Sequence, residues 1–181
     1  AQYLLNLPAE EILLDCLHEG AHAEIDFIGS GFFFTSEKLR ALMNTIADLR
    51  VDARVIDRMP GRKAAYEKYL KKMFVDVYKD LPEGLTADKF PHENFLDAVL
   101  TKQHGGTSPW DDDPLVGAAL NRAWHKIQEA VATRPKGDFP DFAEKVALHA
   151  QFEQIVKDEI LPIYEELYQE SLKRIEEKLA E

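Results

Sequence analysis

The sequence predicts an all-α protein, a helical bundle of about six helices with a four-helix core, and three observations lead there. Apolar residues recur with a period of about 3.6 along most of the chain. No stretch alternates apolar and polar residues as a half-buried strand would, and the main glycine and proline clusters fall between the periodic segments. A chain of 181 residues is expected to form one domain, 1–181. Its core is large enough to be stable without disulfides or a structural metal, so a metal bound here would serve function.

The first helix is expected over residues 8 to 29, ending at Gly29-Ser30-Gly31. Ile12, Leu13, Cys16, Leu17, Ala21, Ile25, Phe27 and Ile28 cover more than half of its circumference, which predicts a helix central to the bundle. Phe32-Phe33-Phe34 reads as a plug at one end of the bundle or, if exposed, as a docking patch. Ser36 is the N-cap of a second helix, 36 to 58, and Pro60-Gly61 separates it from a third, 61 to 80. On that third helix Tyr66, Tyr69 and Tyr78 read as packing residues, with redox neighbours as the other reading. Leu81-Pro82-Glu83-Gly84 closes the segment. Pro91 and Pro114 mark the first turns of helices at 91 to 104 and 113 to 134, separated by the Gly105-Gly106 loop. After Arg134-Pro135-Lys136-Gly137, Asp138 or Asp141 caps a last helix, 140 to 179. Phe142, Val146, Phe152, Val156, Ile160, Ile163 and Leu167 form its apolar face, and the charged end from Glu165 to Glu181 could pack against a second subunit in a homodimer.

Twenty-two Lys and Arg stand against 33 Asp and Glu, a net charge of −11, which argues against nucleic acid and anionic membranes as partners and favours attraction of cations. The lone cysteine, Cys16, excludes an intrachain disulfide and any thiolate-rich metal site, so ligands must be histidines and carboxylates. No apolar run reaches the length of a membrane span and no targeting segment is visible, so the expected location is the cytoplasm. A start at Ala1 rather than Met leaves a processed N-terminus open.

His18-Glu19-Gly20-Ala21-His22 carries the most chemical information, because it holds three metal motifs at once. As HExxH it has the form of a zinc hydrolase site; its ExxH half matches di-iron carboxylate bundles; its histidines alone form HxxxH. A protease scaffold needs a substrate-binding strand, and none is predicted. A di-iron carboxylate bundle needs a second ExxH, and Glu19-Gly20-Ala21-His22 is the only one. The stripe Asp15, His18, Glu19, His22 and Asp26 contains only carboxylates and imidazoles, and no Lys or Arg precedes Lys38. On a central helix such a stripe lines an internal site; the other reading is an acidic surface face.

His149 and Glu153 fall near the middle of the last helix's apolar face, four residues apart. A buried carboxylate must be paired or coordinated, so the two are either a hydrogen-bonded core pair or an HxxxE pair of metal ligands. His92, on the apolar side of its short helix, could ligate or satisfy a backbone group. His104 reads as a helix C-terminal residue and His125 as a surface residue.

Residues Leu17 to Ile25 resemble the first-helix motif of the hemerythrin-like family, with His22 in the ligand position. His149 and Glu153 look like its last-helix HxxxE pair, and Asp158-Glu159-Ile160-Leu161-Pro162 is similar to the continuation that follows it. His125 would then be the third-helix histidine. The resemblance implies a four-helix bundle holding a non-haem iron centre that binds dioxygen or another diatomic, or senses redox state. The chain departs from the family in its second helix, since residues 36 to 80 contain no histidine, and Pro162 comes one turn late.

The expectation is therefore a non-haem metal site between the first and last helices, holding mono- or dinuclear iron, with zinc as the second candidate. Its preferred ligands are His22, His149 and Glu153, followed by His18, Glu19 and His92. A small diatomic or a redox partner would be its counterpart. The alternatives are a metal-free helical protein-interaction domain, a di-iron oxidase or oxygenase, and an HExxH zinc hydrolase.

Overall fold

The computed structural model describes residues 8–26, 37–79, 90–110 and 113–180, and the described residues are helical with no strand. The elements are α1 (Ala9–Ile25), α2 (Glu37–Arg58), α3 (Lys63–Phe74), α4 (Pro91–Gln103), α5 (Pro114–Ala132), α6 (Phe142–Ile155) and α7 (Leu161–Ala180). Short 3₁₀ turns at Pro60–Arg62 and Asp76–Tyr78 flank α3, and a π turn at Val156–Ile160 joins α6 to α7 in one long helix. Ser36, Phe32 to Phe34 and Leu81 to Gly84 lie outside the described residues.

Helix ends follow local chemistry. Asp113 precedes Pro114 and accepts hydrogen bonds from the Leu115 and Val116 amides at 2.9 and 3.4 Å. Of the two aspartates proposed to cap the last helix, Asp141 does so, accepting from the Glu144 amide at 2.8 Å. Beyond α4 the chain reverses through Gly105, whose φ of 75° is a left-handed conformation that suits glycine. Pro162 does not break the last helix. The π turn directly before it, in which the Leu161 amide bonds to the Val156 carbonyl, widens the helix where a proline ring would press on the preceding turn.

A four-helix core is present. Leu42, Met43, Ile46 and Leu49 of α2 pack with Phe95 and Val99 of α4, Leu120 and Ile127 of α5, and Phe152, Val156, Ile160 and Tyr164 of the last helix. A second cluster lies on the other side of α2, where Val51 and Val55 meet Leu14, Ala21 and Ile25 of α1 and Tyr66, Tyr69 and Leu70 of α3. The central helix is thus α2 rather than α1. In α1 Leu13 and Cys16 are exposed and Leu14 is buried, so the apolar surface that the sequence offers is wider than the face α1 buries. Phe142 and Val146, expected in the core, are 72% and 43% exposed. They precede Phe152, the first core residue of that helix, and periodicity reports a direction around a helix, not the presence of a neighbour.

Candidate metal centre

The i, i+4 spacing of His18 and His22 puts both on one face of α1, and Asp48 and Asp52 repeat that spacing on α2. His18 Nδ1 lies 2.8 Å from Asp52 Oδ1, which also accepts the Tyr66 hydroxyl of α3 at 2.7 Å. His22 Nδ1 lies 2.5 Å from Asp26 Oδ2, and Asp26 Oδ1 is 3.2 Å from the Arg50 guanidinium. Each ring therefore directs Nδ1 at a carboxylate and turns Nε2 the other way. The two Nε2 atoms face each other at 3.0 Å, and Asp48 Oδ1 lies 3.1 Å from that of His22 and 3.8 Å from that of His18.

This arrangement could hold a metal ion: two imidazole nitrogens are oriented by carboxylates on the far sides of their rings, and a carboxylate oxygen stands beside them. Metal–ligand bonds of about 2.0–2.1 Å place donor atoms about 3.3 Å apart at neighbouring corners of a tetrahedron, or about 3.0 Å apart in an octahedron. The observed separations of 3.0, 3.1 and 3.8 Å bracket those values. Among the described residues, His18, His22 and Asp48 are the group of three ligand side chains whose donor atoms all come together. Side-chain exposures of 18, 26 and 35% leave the group open to solvent on one side.

Without an ion, a facing nitrogen pair must share a proton. Burial pushes both imidazoles down, but the hydrogen bonds and charges of the aspartates outweigh it. His18 is raised by Asp52 and Asp48, and His22 is pushed up to about 10 by Asp26 and Asp48. In the metal-free chain His22 is an imidazolium at neutral pH.

Behind the histidines, α2 carries two buried arginines. Arg50 donates through Nε to the Thr133 carbonyl at 2.8 Å, and its guanidinium carbon lies over the Phe152 ring, 4.8 Å from the ring centre. Burial lowers its pKa to about 10, opposed by the Asp26 carboxylate. Arg54 binds Glu24 at 2.7 Å and the Pro135 and Gly137 carbonyls at 2.9 Å each, fastening the loop after α5 to α1.

Of the residues singled out in the sequence, His18 and His22 meet as the HxxxH reading requires. Glu19 is exposed and stands outside the group. His149 and Glu153 do point inward and approach each other, Nε2 to Oε1, at 3.3 Å. Arg50 stands between this pair and His22, with Nη1 3.4 Å from His149 Nδ1 and 3.2 Å from Asp26 Oδ1. Burial, then the Arg50 charge, lowers the His149 pKa, so the imidazole is neutral beside the guanidinium. His92 lies apart, between α4 and α7, 2.7 Å from Ser171 Oγ among the rings of Phe90, Tyr164 and Tyr168. Since Ser171 donates to the Leu167 carbonyl, His92 Nδ1 is the donor to Ser171. His125 is exposed, 2.8 Å from Glu129. His104 closes α4 as expected, but its ring stacks on Phe74 and faces Asp52.

Asp48, Asp52 and Arg50 complete the group and escaped the sequence reading, whereas Tyr66, read there as a packing residue or a redox neighbour, is the hydrogen-bond donor to Asp52. The usable signal was the DxxxD spacing of Asp48 and Asp52 on a helix whose apolar residues point both ways. Comparison with known protein families, curated proteins and solved structures finds no significant match for this chain.

Proposed function

We propose that this protein binds a transition-metal ion through His18, His22 and Asp48, with Asp52 and Asp26 orienting the two imidazoles. The observation that carries the reading is the pair of Nε2 atoms 3.0 Å apart beside the Asp48 carboxylate, each ring tied at Nδ1 to a further aspartate. Two histidines and one carboxylate with open positions form the donor set that suits non-haem iron(II), which makes iron the first candidate and zinc the second. An ion held this way keeps sites for a small diatomic ligand, so the function proposed is binding or sensing of dioxygen or a related diatomic, or redox activity at the metal. The resemblance of Leu17 to Ile25 to the hemerythrin-like first helix supports the same direction, while the donor set favours one ion over two.

Metal analysis of protein purified without chelators, then reconstituted anaerobically with iron(II), tests this reading. Bound iron in the intact protein, lost in His18→Ala and His22→Ala and developing a new optical band with nitric oxide, supports it. Failure to retain iron or zinc after reconstitution overturns it. Peptide hydrolysis with zinc that vanishes in Glu19→Gln would establish the hydrolase alternative. One observation favours the metal-free interaction domain as second reading: Phe139 and Phe142 lie 93% and 72% exposed in one stretch of chain.

A further inference from the structure

Asp52 faces two ways. Its Oδ1 is occupied by His18 and Tyr66, whereas its Oδ2 is buried and has no hydrogen-bond partner. His104 Nε2 is likewise buried and without a hydrogen-bond partner, 3.6 Å from Asp52 Oδ2, too far for a hydrogen bond between them. Both side chains are more than nine-tenths buried, with exposures of 3% for Asp52 and 8% for His104. Two buried polar atoms left without partners are costly, so their presence calls for an occupant that supplies what they lack.

Both residues line a cavity of about 440 Å³ between α2, α3 and the end of α4. Its walls include the apolar side chains of Ile56 and Leu70, and Lys68 and Lys71, both exposed, also line it. The other charged residue of the lining, Glu67, lies 3.7 Å from Lys63 in an ion pair of its own. The cavity thus brings together a buried carboxylate oxygen, a buried imidazole nitrogen that accepts in the Nδ1–H tautomer, apolar walls and two exposed cationic residues. A carboxylate oxygen beside an imidazole that burial keeps neutral is matched by an ammonium, which donates several hydrogen bonds. Two lysines are matched by a carboxylate. We propose that this cavity binds a small amino acid whose ammonium and carboxylate are separated by a short aliphatic spacer, the ammonium donating to Asp52 Oδ2 and His104 Nε2 and the carboxylate pairing with Lys68 and Lys71. The site is distinct from the metal centre, sharing only Asp52, and does not depend on an ion being bound.

The test is an NMR titration of the 181-residue chain with 4-aminobutyrate, butyrate and n-butylamine as a matched set. The inference predicts amide shifts confined to the residues around Asp52, Leu70 and His104, with 4-aminobutyrate binding at least about tenfold more tightly than either half-molecule, since it makes both charge-assisted contacts. Lys68→Gln/Lys71→Gln, a change at exposed positions, should reduce 4-aminobutyrate to the affinity of butylamine, and His104→Phe should weaken 4-aminobutyrate and butylamine but not butyrate. Equal binding of all three probes, or no shifts at tens of millimolar, overturns the inference and leaves the cavity to water.

Discussion

His18 and His22 approach each other nitrogen to nitrogen, their Nε2 atoms 3.0 Å apart, while the far nitrogen of each ring is held by an aspartate, Asp52 for one and Asp26 for the other. Two imidazole lone pairs do not face each other unless a proton or a cation lies between them. In the metal-free chain that role falls to the proton on His22; with a metal it falls to the ion.

The two aspartates behind the rings should matter to the ion without touching it. Asp26→Asn and Asp52→Asn keep the shape and remove the charge that fixes each tautomer, so each should lower metal affinity by about 10–100-fold. Chelator competition measures this, and the unaltered far-ultraviolet circular dichroism of each variant checks that the helices persist.

Under the proposed function, metal and proton would compete for the same nitrogens. Because His22 is raised from 6.5 to about 10 in the folded chain, its contribution to the stability of the metal-free protein is complete below pH 6.5 and is lost as the pH rises through about 10. Urea unfolding of chelator-treated protein should show that decline. Metal binding at neutral pH must displace the proton, so calorimetric titrations in buffers of different ionisation enthalpy should report proton release, and apparent affinity should rise with pH toward about 10.

Arg50 links the two halves of the molecule, touching Asp26 of α1, Thr133 after α5 and His149 of α6 from a fully buried position on α2. Replacing it by Leu strips the guanidinium from Asp26 Oδ1, leaving that carboxylate to His22 alone, and leaves the Thr133 carbonyl without its donor. Loss of one member of a buried pair costs about 3–5 kcal/mol. Equilibrium unfolding in urea should show a loss of that order, greater than for any change at the exposed Arg122–Glu166 pair.

Much of the fold was legible in the sequence. Periodicity, the first-turn prolines Pro91 and Pro114 and the cap Asp141 locate the helices because those signals act within one or two turns of chain. The site was half legible. His18 and His22 are found by spacing along one helix, but their partners Asp48 and Asp52 are chosen by how α1 crosses α2, which local pattern does not encode. The inward direction of His149 was read correctly, and its separation from His22 by Arg50 was not, because a buried arginine on α2 looks, in sequence, like any solvated one. The π turn is a further case: one inserted residue per turn leaves no compositional mark beyond Pro162.

Two glycines should respond to alanine in opposite ways. Gly20 sits inside α1 with nothing within 4 Å of an added Cβ, so Gly20→Ala should stabilise by about 0.5–1 kcal/mol through helix propensity alone. At Gly106 the added atom would lie 2.5 and 2.7 Å from the two methyls of Val75, a stiff β-branched side chain. Gly106→Ala should destabilise by about 1–3 kcal/mol. Thermal unfolding of the two variants side by side gives both signs.

Which residues would hold the ion is decided by variants on the two sides of Arg50. Anaerobic titration of iron(II), with cobalt(II) as an optical reporter, should be compared across Asp48→Ala, His22→Ala, His149→Gln and Glu153→Gln. One ion per chain, lost in the Asp48 and His22 variants and kept in the His149 and Glu153 variants, is the predicted result. Retention in Asp48→Ala together with loss in His149→Gln would contradict it and place the metal on the far side of Arg50.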